Sequence, residues 1–132
     1  MIVLDSCVLI AFADPANVFH ENAKNILMTT EPLAITALSG AEVMVYPAPE
    51  QRRHWRDMLH DLAIEVVPIL ADDMEAIAET RRTSGLKMPD ALVLWLAETR
   101  GATIASFDRR LLDQAQHRGL PTLPANPSSP QT

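Results

Sequence analysis

The chain opens on an apolar run, Ile2-Val3-Leu4, that stops abruptly at Asp5, and a second apolar run, Val8 to Ala13, follows at once. A buried strand that breaks at Asp5 into a helix capped near Ser6 accounts for that order. Apolar spacing then predicts a helix over His20–Met28, with Ala23, Ile26 and Leu27 on one face. A short strand, Leu33–Thr36, leads into a helix from Ala37 to about Tyr46 that Thr36 could cap and Pro47-Ala48-Pro49 stops. Glu50–Leu62 is a polar helix with Trp55, Met58, Leu59 and Leu62 as its apolar stripe. Ile64–Ile69 reads as a strand nearer a sheet edge, because it carries Glu65 and Pro68. Asp72 or Asp73 opens a helix to about Arg82, which Thr83-Ser84-Gly85 ends. Pro89 starts a helix, Asp90–Arg100, that is apolar nearly all round and is closed by Gly101. Ala102–Ala105 is a fourth strand, Ser106-Phe107-Asp108 turns into a short helix ending near Arg118-Gly119, and Leu120–Leu123 is a last edge strand.

Strands alternate with helices from end to end. That pattern predicts an α/β fold: a three-layer α/β/α sandwich with a central, mainly parallel sheet of about five strands. The 132 residues suit one domain, placed at 1–123, and the Pro-, Ser- and Asn-rich stretch 124–132 reads as a disordered tail. With 48% hydrophobic and 21% charged residues, the composition is that of a folded globular chain. No apolar run approaches the ~20 residues of a membrane helix, and no basic region precedes the first apolar run, so neither a membrane anchor nor a signal peptide is expected and the location expected is cytoplasmic. The single Cys7 excludes a disulfide within the chain and a Cys-rich zinc site. The net charge of −6 argues against a basic surface wrapped around nucleic acid. It does not argue against a nucleic-acid enzyme, because a carboxylate metal site is itself acidic. The paired arginines, Arg52-Arg53, Arg81-Arg82 and Arg109-Arg110, suit phosphate contact, and a solvated helix face accounts for the first two pairs at least as well.

Most of the 17 acidic residues sit where solvated acids belong, Glu75 and Glu79 on one helix face and Asp57 and Asp61 on another. Four do not. Asp5 and Asp108 each follow an apolar strand in a short polar turn. Asp90 stands in the first turn of the most apolar helix, and Glu42 stands among Leu38, Ala41, Val43, Met44 and Val45. Each has a structural alternative: N-capping for Asp5 and Asp108, the helix dipole for Asp90, an exposed flank for Glu42. If the strands ending in Asp5 and Asp108 are neighbours, both acids reach one sheet edge. Three or four carboxylates there cannot all stay ionised without compensation, and Mg²⁺ or Mn²⁺ is the natural partner. Such a site suits phosphodiester hydrolysis. No Ser/His/Asp or Cys/His arrangement competes, since all four His lie in polar helical contexts, and four Gly supply no phosphate-cradling loop.

The order of these pieces resembles the PIN-domain superfamily, and within it the VapC-type toxin ribonucleases. Ile2-Val3-Leu4-Asp5-Ser6, Glu42 in the third helix, Asp90-Ala91-Leu92 and Gly101 to Ser106-Phe107-Asp108 carry the likeness, which runs to about Leu123. The resemblance implies that Asp5, Glu42, Asp90 and Asp108 form an acidic pocket for Mg²⁺ or Mn²⁺, with Ser6 and Ser106 beside the metal waters. It implies an endoribonuclease acting on tRNA, rRNA or mRNA, a homodimer, and a cognate antitoxin that obstructs the pocket. Lys87, Arg109 and Arg110 are the candidate RNA-phosphate contacts. Cys7 stands where the family usually has Ser or Asn, which places an oxidisable thiol near the metal. Leu94 and Trp95 are bulkier than usual, with consequences expected for helix packing or the dimer surface. A phosphatase of the HAD type would need an Asp where Cys7 stands. A receiver domain would need its Asp on a later strand. The non-enzymatic alternative is an inactive PIN-like module that docks RNA or a protein.

Overall fold

Short apolar strands separated by helices build one parallel sheet with helices on both faces. In the computed structural model, which describes residues 1–124, the strands are β1 (Ile2–Leu4), β2 (Leu33–Thr36), β3 (Ile64–Val67), β4 (Thr103–Ala105) and β5 (Thr122–Leu123). They lie in the order β3-β2-β1-β4-β5, every neighbouring pair parallel. The helices are α1 (Ser6–Ala13), α2 (His20–Leu27), α3 (Ala37–Val43), α4 (Arg52–Asp61), α5 (Met74–Ser84), α6 (Met88–Arg100) and α7 (Arg109–His117). This is the three-layer α/β/α arrangement that the alternation predicts. The tail expected at 124–132 lies, from residue 125 on, outside the described residues.

Strand side chains alternate between the two faces. Ile2, Leu4, Leu33, Ile35 and Ile64 pack with Val8, Leu9, Ala23, Ile26, Val43 and Leu59 on the side of α1 to α4. Val3, Ala34, Val67 and Ile104 pack on the other side with Ile77, Leu111 and the whole run Ala91–Ala97 of α6. Burial on every side explains why α6 shows no polar face. Leu94 and Trp95 both lie within this core, so their bulk bears on helix packing rather than on a surface.

β1 lies at the centre. The chain runs outward from it through β2 to β3, then crosses back over α5 and α6 to place β4 on its other side. The order therefore reverses between β1 and β4, and ligands of open parallel sheets bind in the crevice at such a reversal. Leu4 pairs with Ala105, so Asp5 and Ser106 emerge side by side at the carboxyl end.

Some boundaries differ from the pattern. α3 ends at Val43, three residues short of Tyr46, leaving Val45 and Tyr46 68% and 80% exposed. β3 stops at Val67, because Pro68 has no N–H to continue the ladder. α4 and α5 are each entered through a 3-10 turn, Pro49–Gln51 and Ala71–Asp73. α6 begins at Met88, with Pro89 in its first turn and Gly101 at φ +59° beyond its end. Among the described residues, no helix is long and apolar enough to cross a membrane.

Candidate active site

Asp5 leaves β1 in an extended conformation and caps α1, its Oδ1 accepting from the Ser6 backbone N–H at 2.8 Å. Its Oδ2 accepts from the Ser106 hydroxyl at 2.7 Å and from the Cys7 thiol at 3.4 Å. Capping leaves this second oxygen for other partners, so the structural and chemical readings of Asp5 coexist. Asp108 repeats the device after β4: its Oδ1 accepts from the backbone N–H groups of Arg110 at 2.9 Å and Leu111 at 3.4 Å. The Ser106 oxygen also accepts from the Asp108 backbone N–H at 3.0 Å. One buried hydroxyl thus ties together the strand ends that carry two of the acids.

Glu42 comes from α3, whose start is fixed by Thr36 Oγ1 accepting from the Ser39 N–H at 3.0 Å. The sequence suggests a crowded flank for Glu42, but the early end of α3 opens that flank and leaves the carboxylate half-buried and hydrogen-bonded to Ser6. Asp90 stands in the first turn of α6, also half-buried. Asp5, Glu42, Asp90 and Asp108 line one cleft of about 460 Å³, together with Ser6, Cys7, Ile10, Asn17, Phe19 and Phe107.

The charges of this cleft oppose one another. Burial raises the Asp5 carboxyl above its ordinary range; hydrogen bonds from Ser106, Cys7 and Ser6 work against the rise, and Asp108 adds to it. Burial and the Asp5 charge raise Glu42 as well. The Asp90 carboxyl is pushed up to about 6, by burial first and then by Asp5, Asp108 and Glu42, with Lys87 pulling the other way. A cation in the cleft would relieve all of these at once. The donors are carboxylate oxygens, the type that hard divalent cations prefer. Among the described residues no three His, Cys, Asp or Glu side chains stand close enough to cage an ion by themselves.

Cys7 fills the place expected for a small polar contact. Its thiol donates to Asp5, and its sulfur accepts from the Phe107 backbone N–H at 3.4 Å. Burial, followed by the Asp5 charge, pushes the thiol pKa up, so Cys7 stays protonated and weakly reactive. Lys87 and Arg110 are exposed and line, with Leu86, a smaller groove that shares Asp90 and Asp108 with the main cleft. Arg109 is exposed but borders neither.

The family model for the PIN domain matches residues 2–117. The chain belongs to the PIN domain family. Solved structures that share this PIN fold include a toxin-antitoxin complex from Klebsiella pneumoniae, 24% identical over 82% of this chain and 87% of that one, with a TM-score of 0.66. FitAB bound to an IR36 DNA fragment is 17% identical over 100% and 99%, with a TM-score of 0.73. FitAcB from Neisseria gonorrhoeae is 19% identical over 97% and 99%, with a TM-score of 0.66. At such identities the likeness speaks for the PIN fold alone. No curated protein matches the chain.

The aromatic wall of this PIN cleft, Phe19 and Phe107 with Asn17 beside them, has no counterpart in the sequence reading. Phe107 lies visibly between Ser106 and Asp108, but nothing in the sequence pairs it with Phe19, 88 positions earlier.

Proposed function

We propose that the chain is a Mg²⁺- or Mn²⁺-dependent endoribonuclease, the VapC-type toxin of a type II toxin–antitoxin pair. The observation that carries this reading is the meeting of four carboxylates from four separate parts of the chain in one cleft, with three of them raised by burial and mutual repulsion. Such an arrangement is costly unless it serves a cation. PIN domains are generally nucleases, and one of the structures sharing the fold is a toxin–antitoxin complex.

In this reading Asp5, Asp90 and Asp108 hold the metal, and Glu42 completes the set or accepts a proton from the attacking water. Bound there, the cation supplies Lewis acidity, lowering the pKa of water and offsetting charge on the phosphate. Glu42, with its raised pKa and its bond to Ser6, is held ready to take up a proton. Ser106 fixes the orientation of Asp5, and Ser6 stands beside Glu42. Lys87 and Arg110, in the adjoining groove, meet the RNA phosphates on the far side of Asp90 and Asp108. The cognate antitoxin covers the same cleft, and the chain acts as a homodimer in the cytoplasm.

Incubation of total RNA with Mg²⁺ or Mn²⁺ tests the chemistry. Wild type is expected to cut, while Asp5→Asn, Asp90→Asn and wild type with EDTA are expected to leave RNA intact. Equal cleavage in all arms would overturn the mechanism. RNA binding without cleavage in any arm would favour the inactive docking module.

A further inference from the structure

The acidic cleft is asymmetric. On one side of Asp90 and Asp108 stand Lys87 and Arg110; on the other stand Ile10, Asn17, Phe19 and Phe107. Phe19 and Phe107 lie face to face, with ring centroids 4.5 Å apart and planes within 8°. Both are only half-buried, resting on the core next to α1 and α2 while remaining part of the cleft wall. The pair is also held in place. Asn17 Oδ1 accepts from the Phe19 backbone N–H at 2.9 Å, and the Phe107 N–H donates to Cys7. The Asn17 amide N–H₂ makes no further hydrogen bond among the described residues, so it is available at the same wall.

Cations suit phosphates, whereas a fixed aromatic surface with an amide donor beside it suits a nucleobase. We infer that Phe19, Phe107 and Asn17 form a nucleobase subsite next to the acids, which takes an unpaired base of a single-stranded RNA. This rests on the ribonuclease reading and adds to it the residues that take the base. A strand crossing the acids has its phosphates on the Lys87–Arg110 side and one base turned against the rings. A base inside a duplex is stacked between its neighbours and cannot turn out in this way without first being unpaired.

Binding can be measured by anisotropy with Ca²⁺ in place of Mg²⁺ or Mn²⁺, which offsets the acids, with the probe checked on a gel to be intact so that cleavage plays no part. The probes are a fluorescein-labelled single-stranded A₁₀ RNA and the same sugar–phosphate strand with stable abasic residues. Wild type is expected to bind A₁₀ about 10-fold more tightly than the abasic strand, the size of one stacked base. Phe19→Leu keeps the apolar packing but removes the ring, and is expected to abolish most of that ratio. Phe19→Tyr is expected to restore it, and binding of the abasic strand is expected to be the same in all three proteins. Thermal unfolding of each variant separates loss of the ring from loss of the fold. An unchanged ratio in Phe19→Leu, or an equal loss on both strands, overturns the subsite. A ring-dependent ratio in a protein that cuts no RNA with Mg²⁺ or Mn²⁺ keeps the subsite and overturns the nuclease. Cleavage without ring dependence does the reverse.

Discussion

Asp90 shows most directly what the cleft costs the fold. Its carboxyl ionises near 3.8 ordinarily and at about 6 here, so the folded state holds on to a proton that the unfolded chain has already released. Stability from this source is fully present below the ordinary value and is lost as pH rises through about 6. Glu42 and Asp5 shift in the same direction and add to the effect. Metal-free protein is therefore expected to melt at a higher temperature near pH 5 than near pH 8. Asp90→Asn is expected to flatten that slope in a pH series of thermal melts. With Mn²⁺ bound, which would offset the repulsion among these acids, the pH slope of the melts is expected to shrink. Ser106→Ala removes the hydroxyl that donates to Asp5 and leaves the Asp108 N–H without its acceptor. It is expected to lower stability by about 1–3 kcal/mol in urea unfolding and to reduce cleavage. Of these residues Asp5, Glu42, Asp90 and Asp108 were legible in the sequence, because a carboxylate set in or against an apolar run needs a reason. Cys7 was legible as a substitution, but its inertness was not, since that depends on burial against Asp5.

The helices and strands followed from period and punctuation wherever one face or all faces are buried. The apolar stretch of α6 and the caps at Thr36, Asp5 and Asp108 fixed their elements closely. α3 was harder: Met44, Val45 and Tyr46 continue its apolar composition, but tertiary packing reaches only to Val43 and the half-buried Met44. α6 spans the core from the cleft to the far end of the sheet. Leu94 is fully buried there, so Leu94→Ala is expected to cost about 2–5 kcal/mol in denaturant unfolding. The starts of α6 and α7 bring Lys87 and Arg110 to one groove, while Arg109, one position away, points elsewhere. Lys87→Ala and Arg110→Ala are each expected to weaken RNA binding and to lower the salt slope by about 0.7 for a single strand. Arg109→Ala is expected to leave both nearly unchanged. A salt titration of binding affinity for the three variants checks this.

The molecule as a whole carries a net charge of −6, and its proposed substrate is also an anion. Cations held among the acids, as proposed, would reconcile the two. Mn²⁺ at a hundredfold excess over its dissociation constant is expected to stabilise the fold by about 2.7 kcal/mol, and EDTA to remove that gain. An Asp5→Asn/Asp90→Asn double variant is expected to lose the response; differential scanning calorimetry near pH 8 would read it. The order of strands has a consequence in time. The bond from Ser106 to Asp5 joins positions 101 residues apart, and β4 can take its place only against the free edge of β1. During synthesis Asp5 emerges first and Asp108 last of the four acids, after six of the seven helices among the described residues. Until β4 slots in beside β1 the nascent chain has no acidic cleft, and a product truncated before Thr103 never acquires one. A toxin built on this plan would be harmless to the ribosome and messenger that make it until β4 and Asp108 have been made and docked.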